Sequence, residues 1–335
     1  MIVPFTTLPA ANEARTTPER RGLARDEVRL LVTDPAARTH VDATFRDLPA
    51  FLRPGDLVVV NDSATLPAAL AAWRAGGTMI PFHLSTQIAD DLWVAEPRGP
   101  AGRGERLALP AGGAATLLNP IDPARPRLWH AALDLPAPLA EYLASYGAPI
   151  RYRYVTEPLP LADYQTIFAR VPGSAEMPSA GRPFTPRVLD ALHKAGVGLA
   201  TITLHTGVSS PERDERPYRE RFSVETQTAA AVNATRRRGG RIIAVGTTVV
   251  RALESAADGD TVFPASGWTD LIVTPQRGVA VVDGLLTGFH EPQASHLDLL
   301  RAFVDSTTLD AAYQHAIERG YIWHEFGDVQ LIVRS

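Results

Sequence analysis

The sequence contains no cysteine and only one lysine, Lys194, among its 335 residues. The absence of cysteine excludes disulfides, thiolate zinc sites, iron–sulfur clusters and a cysteine nucleophile, and it is typical of a reducing compartment. No apolar run reaches the length of about 18 residues that a transmembrane helix needs. Residues 1–21 lack the charged start and the apolar core of a signal peptide. We therefore expect a cytoplasmic protein that has no membrane partner.

Common cofactor and catalytic motifs are missing as well. The Gly-x-Gly at 196–198 follows a predicted helix and precedes a strand, which reverses the order found in dinucleotide-binding folds. The Ala-Gly-Gly turn at 111–113 lacks the Lys-Ser/Thr pair of a phosphate-binding loop. No Gly-x-Ser-x-Gly, His-Glu-x-x-His or paired acidic metal motif occurs. The sequence therefore predicts no bound metal.

The composition is that of an ordinary globular protein, with 45% hydrophobic and 21% charged residues. The length favours two domains. A formal net charge of −4 provides no global attraction to a nucleic acid. Contact with RNA would depend on local patches, and arginine clusters at 20–29 and 236–241 are the candidates. A solvated helix face or loop is the alternative for each cluster.

The order of apolar segments predicts a layered α/β domain interrupted by a β-rich insert. Strands are predicted at 28–32, 57–60, 199–205, 241–245 and 329–333. Helices are predicted at 139–146, 161–169, 186–195, 225–238, 249–256 and 295–304. Between residues 66 and 133 short apolar stretches alternate with Gly- and Pro-rich turns, and only 68–75 shows a helical period. This spacing indicates a small antiparallel barrel or sandwich.

The segment at 242–251 carries the strongest local signal for a ligand site, because a buried strand runs through Gly246, Thr247 and Thr248 into a helix. The carboxyl end of such a strand is where open α/β sheets bind ligands. Gly246 lets a ligand approach the backbone, the threonines offer hydroxyls and N-cap chemistry, and Arg251 follows one turn later. The alternative is a plain helix cap followed by a surface arginine.

Histidines stand at two further strand ends. His205 follows the apolar run at 199–204, and His290 lies in the loop after Phe289. Histidine has the intrinsic pKa that acid–base catalysis near neutral pH requires, and a structural hydrogen bond is the alternative for each. Glu325 and Asp328 surround a tight turn before the last strand, where ordinary turn chemistry is the alternative.

Several runs, in order along nearly the whole chain, carry a resemblance to one family. They are RDEVRLLV (25–32), LRPGDLVVVNDS (52–63), YQTIFARVPGSAEMPSAG (164–181), ITLHTG (202–207), GGRIIAVGTTVVRALESA (239–256), GFHEPQAS (288–295) and FGDVQLIV (326–333). Together they resemble the S-adenosylmethionine:tRNA ribosyltransferase-isomerases of queuosine biosynthesis. The resemblance implies a discontinuous α/β main domain, 1–65 and 150–335, with a small antiparallel β-barrel domain inserted at 66–149.

The resemblance also implies a reaction. Family members transfer and isomerise the ribosyl group of S-adenosylmethionine to 7-aminomethyl-7-deazaguanine in tRNA, which gives epoxyqueuosine and releases adenine and methionine. Such chemistry needs a base beside the sulfonium, electrostatic support for charge separation and an acid that helps adenine depart. We expect a monomer that binds S-adenosylmethionine as substrate, takes tRNA as a partner and has no prosthetic group.

Site residues follow from the same resemblance. The predicted catalytic residues are His205, His290 and Glu220, with the two histidines as base or acid. The predicted substrate contacts are Asn61, Asp62, Ser179, Gly181, Gly246, Thr247, Thr248, Arg251, Phe289 and Asp328. Among these, Asp62, Asp328 or Glu220 would support the sulfonium or hold a ribose, and Arg251 would anchor a polar end of a substrate.

The sequence departs from the family pattern in its loops. Ala64 and Ala69 stand where the family has arginines, and Pro183 replaces a histidine that could donate and accept a proton. Further departures lie at Ser209, Ser210, Gly288 and Gln293. They leave two alternatives to the family reaction: an S-adenosylmethionine-using enzyme with a small acceptor, and a binding protein without catalysis.

Overall fold

The computed structural model describes residues 8–209, 218–291 and 296–334. Its strands are β1 Arg29–Asp34, β2 Thr39–Thr44, β3 Leu57–Asn61, β4 Ser63–Thr65, β5 Ala69–Trp73, β6 Met79–Gln87, β7 Leu92–Pro97, β8 Arg106–Ala108, β9 Ala114–Pro120, β10 Trp129–Asp134, β11 Val171–Ser174, β12 Gly198–Leu204, β13 Glu220–Val224, β14 Ile242–Val245, β15 Ala257–Asp258, β16 Thr261–Val262, β17 Ala265–Thr269, β18 Gly284–Gly288 and β19 Val329–Val333. Its α-helices are α1 Leu139–Tyr146, α2 Pro186–Lys194, α3 Thr226–Arg237, α4 Thr247–Ser255, α5 His296–Leu300 and α6 Ser306–Glu318.

A nine-stranded mixed sheet has the strand order β17-β13-β12-β3-β14-β18-β19-β1-β2. Strands β12, β3, β14 and β18 run parallel to one another, whereas β13 and β19 are antiparallel to their neighbours β12 and β18. Every residue of β3 and β14 is buried, which explains their continuous runs of valine and isoleucine. The parallel strands therefore share one edge at which their carboxyl ends meet.

Helices cover both faces of this central region. Side chains of β3 alternate between the faces, as strand geometry requires. Val59 belongs to the buried cluster that includes Val232 of α3 and Val250 of α4. Val58 belongs to the opposite cluster, which includes Val188 of α2. The α/β layering predicted from the order of apolar segments is confirmed.

Strands β5 to β10 close into a separate barrel of order β10-β7-β6-β5-β8-β9, in which neighbouring strands are antiparallel. Its interior includes Phe82, Leu84 and Trp93. The inserted antiparallel barrel is thus confirmed, while the domain boundaries at 65 and 150 stay a prediction. The helix that the pattern at 68–75 suggests is wrong, because strand β5 lies there, with Leu70 and Ala72 buried between more exposed neighbours. Alanine-rich strands resemble helices in composition, and only the burial pattern separates them.

The predicted helix at 161–169 is also wrong beyond its first turn, a 3₁₀ helix at Leu161–Tyr164. Gln165 instead makes a reciprocal pair of bonds with the backbone of Thr65, at 2.8 and 2.9 Å, and so leaves the helical path. The predicted helix at 295–304 is shorter, since α5 ends at Leu300; its residue 295 lies outside the described residues. Across the described ranges, no helix has the length and apolar character that crossing a membrane requires.

Candidate active site

Predicted site residues follow the strands that meet at the carboxyl edge of the sheet. Asp62 follows β3, His205 follows β12, Gly246 follows β14, and Phe289 and His290 follow β18. Two antiparallel neighbours begin at this same edge, so they add Glu220, the first residue of β13, and Asp328, which precedes β19. The topology therefore brings residues from distant parts of the sequence to one edge, where open α/β sheets bind ligands.

Gly246 shapes the start of α4. It adopts a φ of +92°, which favours glycine, and it is the N-cap residue in place of either threonine. A Cβ atom placed there would lie 3.5 Å from the Cβ of Ala180, between Ser179 and Gly181. The predicted contacts on the 3₁₀ helix Ser179–Gly181 thus lie directly beside the Gly-Thr-Thr turn.

Asn61 and Asp62 hold neighbouring loops together. Asn61 Nδ2 donates to the carbonyl of Leu204 at 2.8 Å, and Asn61 Oδ1 accepts from the Leu204 amide at 3.0 Å. Asp62 is buried and accepts from Thr203 Oγ1 at 2.6 Å and from Arg170 Nη2 at 2.7 Å. The Asn61 side chain therefore joins the end of β3 to β12, and the Asp62 side chain joins it to β12 and to Arg170, the residue before β11. Contact of either side chain with a substrate stays a prediction.

His205 is held by two serines that the sequence did not reveal. Its Nδ1 shares a hydrogen bond with Ser63 Oγ at 2.8 Å, and Ser63 Oγ in turn lies 2.6 Å from Ser174 Oγ. A Cβ atom on Gly173 would come within 2.5 Å of the imidazole, so this glycine makes room for the ring. Burial and then the charge of Arg221 lower the pKa of His205, which favours the neutral imidazole.

Glu220 and Arg251 form a buried ion pair. The guanidinium of Arg251 donates to Glu220 and also to the carbonyls of Tyr218, Thr269 and Leu271, at 3.0 to 3.2 Å. Burial raises the pKa of Glu220, and the charge of Arg251 opposes that rise most strongly. Arg251 is 6% exposed, which rules out the alternative of a surface arginine. Its role as a substrate anchor stays a prediction, because protein acceptors already surround its guanidinium.

His290 lies in a layered group of rings. It stacks on His296 with centroids 4.6 Å apart, and its Nε2 shares a hydrogen bond with Thr287 Oγ1 at 2.9 Å. Burial, with the neighbouring His296 and His324, lowers the pKa of His290 well below its usual value. The preceding Phe289 is buried, and its centroid lies 4.7 Å from that of Trp323. Phe289 thus positions the loop that carries His290.

Asp328 ends the tight turn before β19. Its Oδ1 accepts from the Arg29 amide at 2.7 Å and its Oδ2 from the Ile322 amide at 2.8 Å. These bonds fix the turn against β1, as the turn-chemistry alternative proposes. Burial raises the pKa of Asp328, and the two amides oppose this.

A further group of polar residues near this edge was missed by the sequence reasoning. We call it the tyrosine–glutamate cluster, and it consists of Tyr152, Tyr154, Glu176, His324 and Glu325. Tyr152 donates to Glu176 and Tyr154 donates to Glu325. The sequence around Glu325 indicates only a turn. The cluster adds two partly buried carboxyl groups to the site region.

The departures from the family pattern are scattered. Ala64 in β4 pairs with Pro172, and Ala69 in β5 pairs with His83. Pro183 and Gly288 line a small cavity with Ser179. The amide of Ser209 donates to Glu176 Oε1 at 2.9 Å. Ser210 and Gln293 lie outside the described residues.

Neither arginine cluster presents an unpaired basic patch as a whole. In the first, Arg25 pairs with Glu19 at 3.0 Å. In the second, Arg241 pairs with Asp56 at 2.7 Å, next to the amino end of β3 and so at the opposite edge of the sheet from the predicted site. Within the described part of the chain, no three His, Asp or Glu side chains are grouped to hold a metal.

Comparison with known proteins agrees with this architecture. The profile of the family described as queuosine biosynthesis protein matches residues 5–332. The chain belongs to this family. An S-adenosylmethionine:tRNA ribosyltransferase-isomerase from Acidithiobacillus ferrooxidans is 40% identical over 322 residues, which cover 92% of each chain. The enzyme of the same name from Acidiphilium cryptum is 41% identical over 311 residues, with 88% of this chain and 89% of that protein covered.

A solved structure extends the agreement to three dimensions. The S-adenosylmethionine tRNA ribosyltransferase of Thermotoga maritima has a TM-score of 0.57 and 28% identity, covering 98% of this chain and 99% of that one. Membership of the S-adenosylmethionine:tRNA ribosyltransferase-isomerase family, which was inferred from the sequence runs, is therefore confirmed, and with it the transferase and isomerase class of enzyme.

Proposed function

We propose that this enzyme transfers and isomerises the ribosyl group of S-adenosylmethionine to 7-aminomethyl-7-deazaguanine in tRNA. The products are epoxyqueuosine, adenine and methionine. The observation that carries the proposal is the convergence of His205, Glu220, Gly246 and His290 at the carboxyl edge of the sheet. The names of the related enzymes support S-adenosylmethionine and tRNA as the two substrates.

The protonation states of the site suit this reaction. The acceptor amine forms a C–N bond to the ribosyl group, and the isomerisation forms one C–C and one epoxide C–O bond. The bonds from the ribosyl group to adenine, to the methionine sulfur and to the ring oxygen break. Of the two protons lost, from the amine and from the carbon beside the sulfur, one goes to adenine and one to solvent. A base must remove the acidified proton beside the sulfonium. The lowered pKa values of His205 and His290 favour the neutral imidazole, which can accept a proton without first losing one. Glu220 offers an oriented carboxylate at the same edge for a cationic donor, and its ion pair with Arg251 keeps that carboxylate in place.

A second candidate is an S-adenosylmethionine-using enzyme with a small acceptor. Ala64 and Ala69 remove two positive charges of the family pattern, and the net charge of −4 gives no global attraction to RNA. A third candidate, binding without catalysis, would keep the fold and lose only turnover.

Release of adenine separates these candidates. The protein is incubated with S-adenosylmethionine and an anticodon hairpin that carries the deazaguanine, and adenine and methionine are followed by chromatography. We expect both to appear in equal amounts. Adenine that appears only with the free deazaguanine supports the small-acceptor enzyme. Binding of S-adenosylmethionine with no adenine above background in either case contradicts catalysis.

The role of His290 is tested in the same assay. We expect His290→Ala to reduce turnover by about 10²- to 10⁴-fold, because a general acid or base contributes that much. The affinity for S-adenosylmethionine should change little. His193→Ala is the matched control, since His193 is exposed on α2. Turnover in His290→Ala equal to that of the control would remove His290 from proton transfer.

A further inference from the structure

One side of the sheet is left uncovered beside the predicted site. Strands β12, β13 and β17 form one end of the sheet, and on one side they pack against α3 and α4. Side chains of a strand alternate between its two faces, and the buried Leu204, Phe222 and Val224 belong to the packed side. We call the other side the outer face; its residues are Leu199, Thr203, Arg221, Ser223, Ser266 and Trp268. Leu199, Arg221 and Ser266 are exposed, so no helix of the described chain covers them.

Two arginines at the outer face have no acidic partner. Arg221 is paired in register with Trp268, and the guanidinium of Arg219 lies over the Trp268 ring, 5.7 Å from its centroid. Both arginines are exposed, and in the described part of the chain neither has a carboxylate within the 4.0 Å of an ion pair. The arginine clusters predicted from sequence differ in this respect, since Arg25 and Arg241 are paired. The outer face therefore carries two positive charges that the protein does not compensate.

The buried carboxylates of this region are bound to other cations. Glu220 precedes Arg221 and so lies on the packed side of β13, where it pairs with Arg251. Asp62 accepts from Thr203 Oγ1 of the outer face and from Arg170 Nη2. The Arg170 side chain is 63% exposed, so a third guanidinium reaches solvent near the same face. Because these carboxylates already have partners, Arg219 and Arg221 stay available to an anion from outside.

The outer face is continuous with the predicted site through His205. The His205 amide donates to the Arg221 carbonyl at 2.9 Å, which extends the pairing of β12 with β13 by one residue. His205 follows Thr203 by two residues, so alternation places its ring on the outer face as well. Burial, and after it the charge of Arg221, lowers the pKa of His205, as expected for neighbouring side chains. An anionic chain bound along Arg219 and Arg221 would therefore pass His205.

The charge of the outer face fits the phosphate backbone of an RNA. The planar guanidinium of arginine matches the geometry of a phosphate group and can donate two hydrogen bonds to it. Phosphate contacts of this kind fix the register of a nucleic acid on a protein without reading its sequence. Ala64 and Ala69 stand where the family has arginines, and Arg219 and Arg221 restore the same number of positive charges from another strand.

We propose that the outer face binds the phosphate backbone of the RNA acceptor through Arg219 and Arg221 and so brings one of its bases to His205. The inference rests on the proposed function for the identity of the RNA. Trp268 keeps the Arg219 guanidinium in position by a cation–π contact. A free deazaguanine has no phosphate, so the outer face serves a tRNA acceptor and contributes nothing to a small one.

Binding of an anticodon hairpin tests the outer face without turnover. Fluorescence anisotropy measures the affinity of the full-length protein for an RNA hairpin that carries the deazaguanine, between about 50 and 200 mM salt. We expect Arg219→Ala and Arg221→Ala each to weaken hairpin binding about tenfold at the lowest salt, as for the loss of a hydrogen bond to a charged group. Each should also reduce the slope of log affinity against log salt by about 0.7, the value for one phosphate of a single strand.

Matched variants separate this surface from a general effect of charge. Arg237→Ala removes an exposed arginine of α3, within the cluster that the sequence offers as another RNA contact, and should leave affinity and slope unchanged. Arg221→Lys keeps the charge and should keep most of the affinity. Calorimetry with the free deazaguanine should give the same affinity for every variant. Thermal unfolding confirms that each variant is folded, as expected for substitutions of exposed side chains.

Three results would overturn the proposal: a double variant of Arg219 and Arg221 that binds the hairpin as wild type does, an equal loss of affinity in Arg237→Ala, or wild-type binding of poly-glutamate as tight as that of the hairpin. The last result would assign the outer face to an acidic protein segment. Adenine release is measured separately. Hairpin binding that depends on the two arginines without adenine release contradicts only the proposed reaction, and adenine release from the hairpin without that dependence contradicts only the proposed surface.

Discussion

Two partly buried carboxyl groups near the same edge of the sheet have opposite surroundings. Glu220 pairs with Arg251 and accepts from the Gly207 amide at 3.0 Å. Glu325 accepts from Tyr154, and its second oxygen has no hydrogen-bond partner in the described part of the chain. Burial raises the pKa of both groups, and for Glu325 it raises the pKa to about 7. The charge of Glu220 is thus compensated by a cation of the protein, whereas Glu325 has only the Tyr154 hydroxyl as a partner among the described residues.

Arg251→Ala should have the largest effect. It removes the ion-pair partner of Glu220, so that this carboxyl group, like that of Glu325, has no cation bonded to it. It would leave a buried carboxylate and three carbonyls without their guanidinium partner. Removing one member of a buried ion pair costs about 3–5 kcal/mol of the free energy of unfolding. Urea unfolding at pH 7 measures the difference.

The control for this variant is Arg237→Ala, which removes an exposed arginine from α3. A surface substitution of this kind changes stability by no more than about 0.5 kcal/mol. If Arg251→Ala is as stable as Arg237→Ala and binds S-adenosylmethionine more weakly, Arg251 is a ligand anchor and not part of the framework.

Glu325→Gln should show its effect as a change in pH dependence. Glutamate titrates near 4.5 when unperturbed and near 7 in the folded protein. As the pH rises between these values the unfolded chain loses a proton that the folded protein keeps, so the wild-type free energy of unfolding falls. At about 1.4 kcal/mol per pH unit the total is about 3 kcal/mol, and the fall ends above pH 7. The variant lacks this fall.

Unfolding curves for both proteins between pH 4.5 and 8 check this prediction. The stability of Glu325→Gln relative to wild type should increase over that range and then stay constant. Glu141→Gln, on the exposed face of α1, controls for the loss of one charge. A constant difference between wild type and Glu325→Gln at every pH would show that burial does not hold the proton on Glu325.

Gly173→Ala should have a smaller effect, which acts on turnover through His205. The added Cβ would lie 2.5 Å from the His205 ring, so the imidazole must shift from its bond with Ser63. Misplacing a catalytic group lowers turnover, here by about 10- to 100-fold. Adenine release measures it. Gly77→Ala is the control, since Gly77 also has a positive φ and no atom would lie within 4 Å of its Cβ; equal turnover in the two variants would contradict a role for His205.

The fold was predictable from sequence where the apolar pattern agrees with the glycine and proline residues that bound an element. The helix at 139–146 and the strand at 329–333 match Leu139–Tyr146 and Val329–Val333. The helix at 161–169 failed because the bond between Gln165 and Thr65 joins residues 100 positions apart, and no local pattern contains it. The edge strand Ala265–Thr269 was missed because it has little apolar character to reveal it.

The candidate site, too, was predictable from sequence only in part. His205, Gly246 and His290 could be found because each follows an apolar strand, and parallel strands bring their ends together. The tyrosine–glutamate cluster could not, since Tyr154 and Glu325 are 171 positions apart and Tyr152 and Glu176 are 24 apart. One local signal was present: tyrosines at 152 and 154 alternate as in a strand, although the structure forms no strand there.

The loop after β12 is also where the barrel meets the sheet. The Val208 amide donates to Ser85 Oγ at 2.9 Å, and a Cβ on Gly207 would lie 2.8 Å from that same oxygen and 3.0 Å from Thr86 Oγ1. The seam thus depends on a glycine facing two small hydroxyl side chains. A chimera that grafts a relative's barrel onto this sheet would need to preserve those three positions, or the loop carrying His205 would be displaced along with the graft.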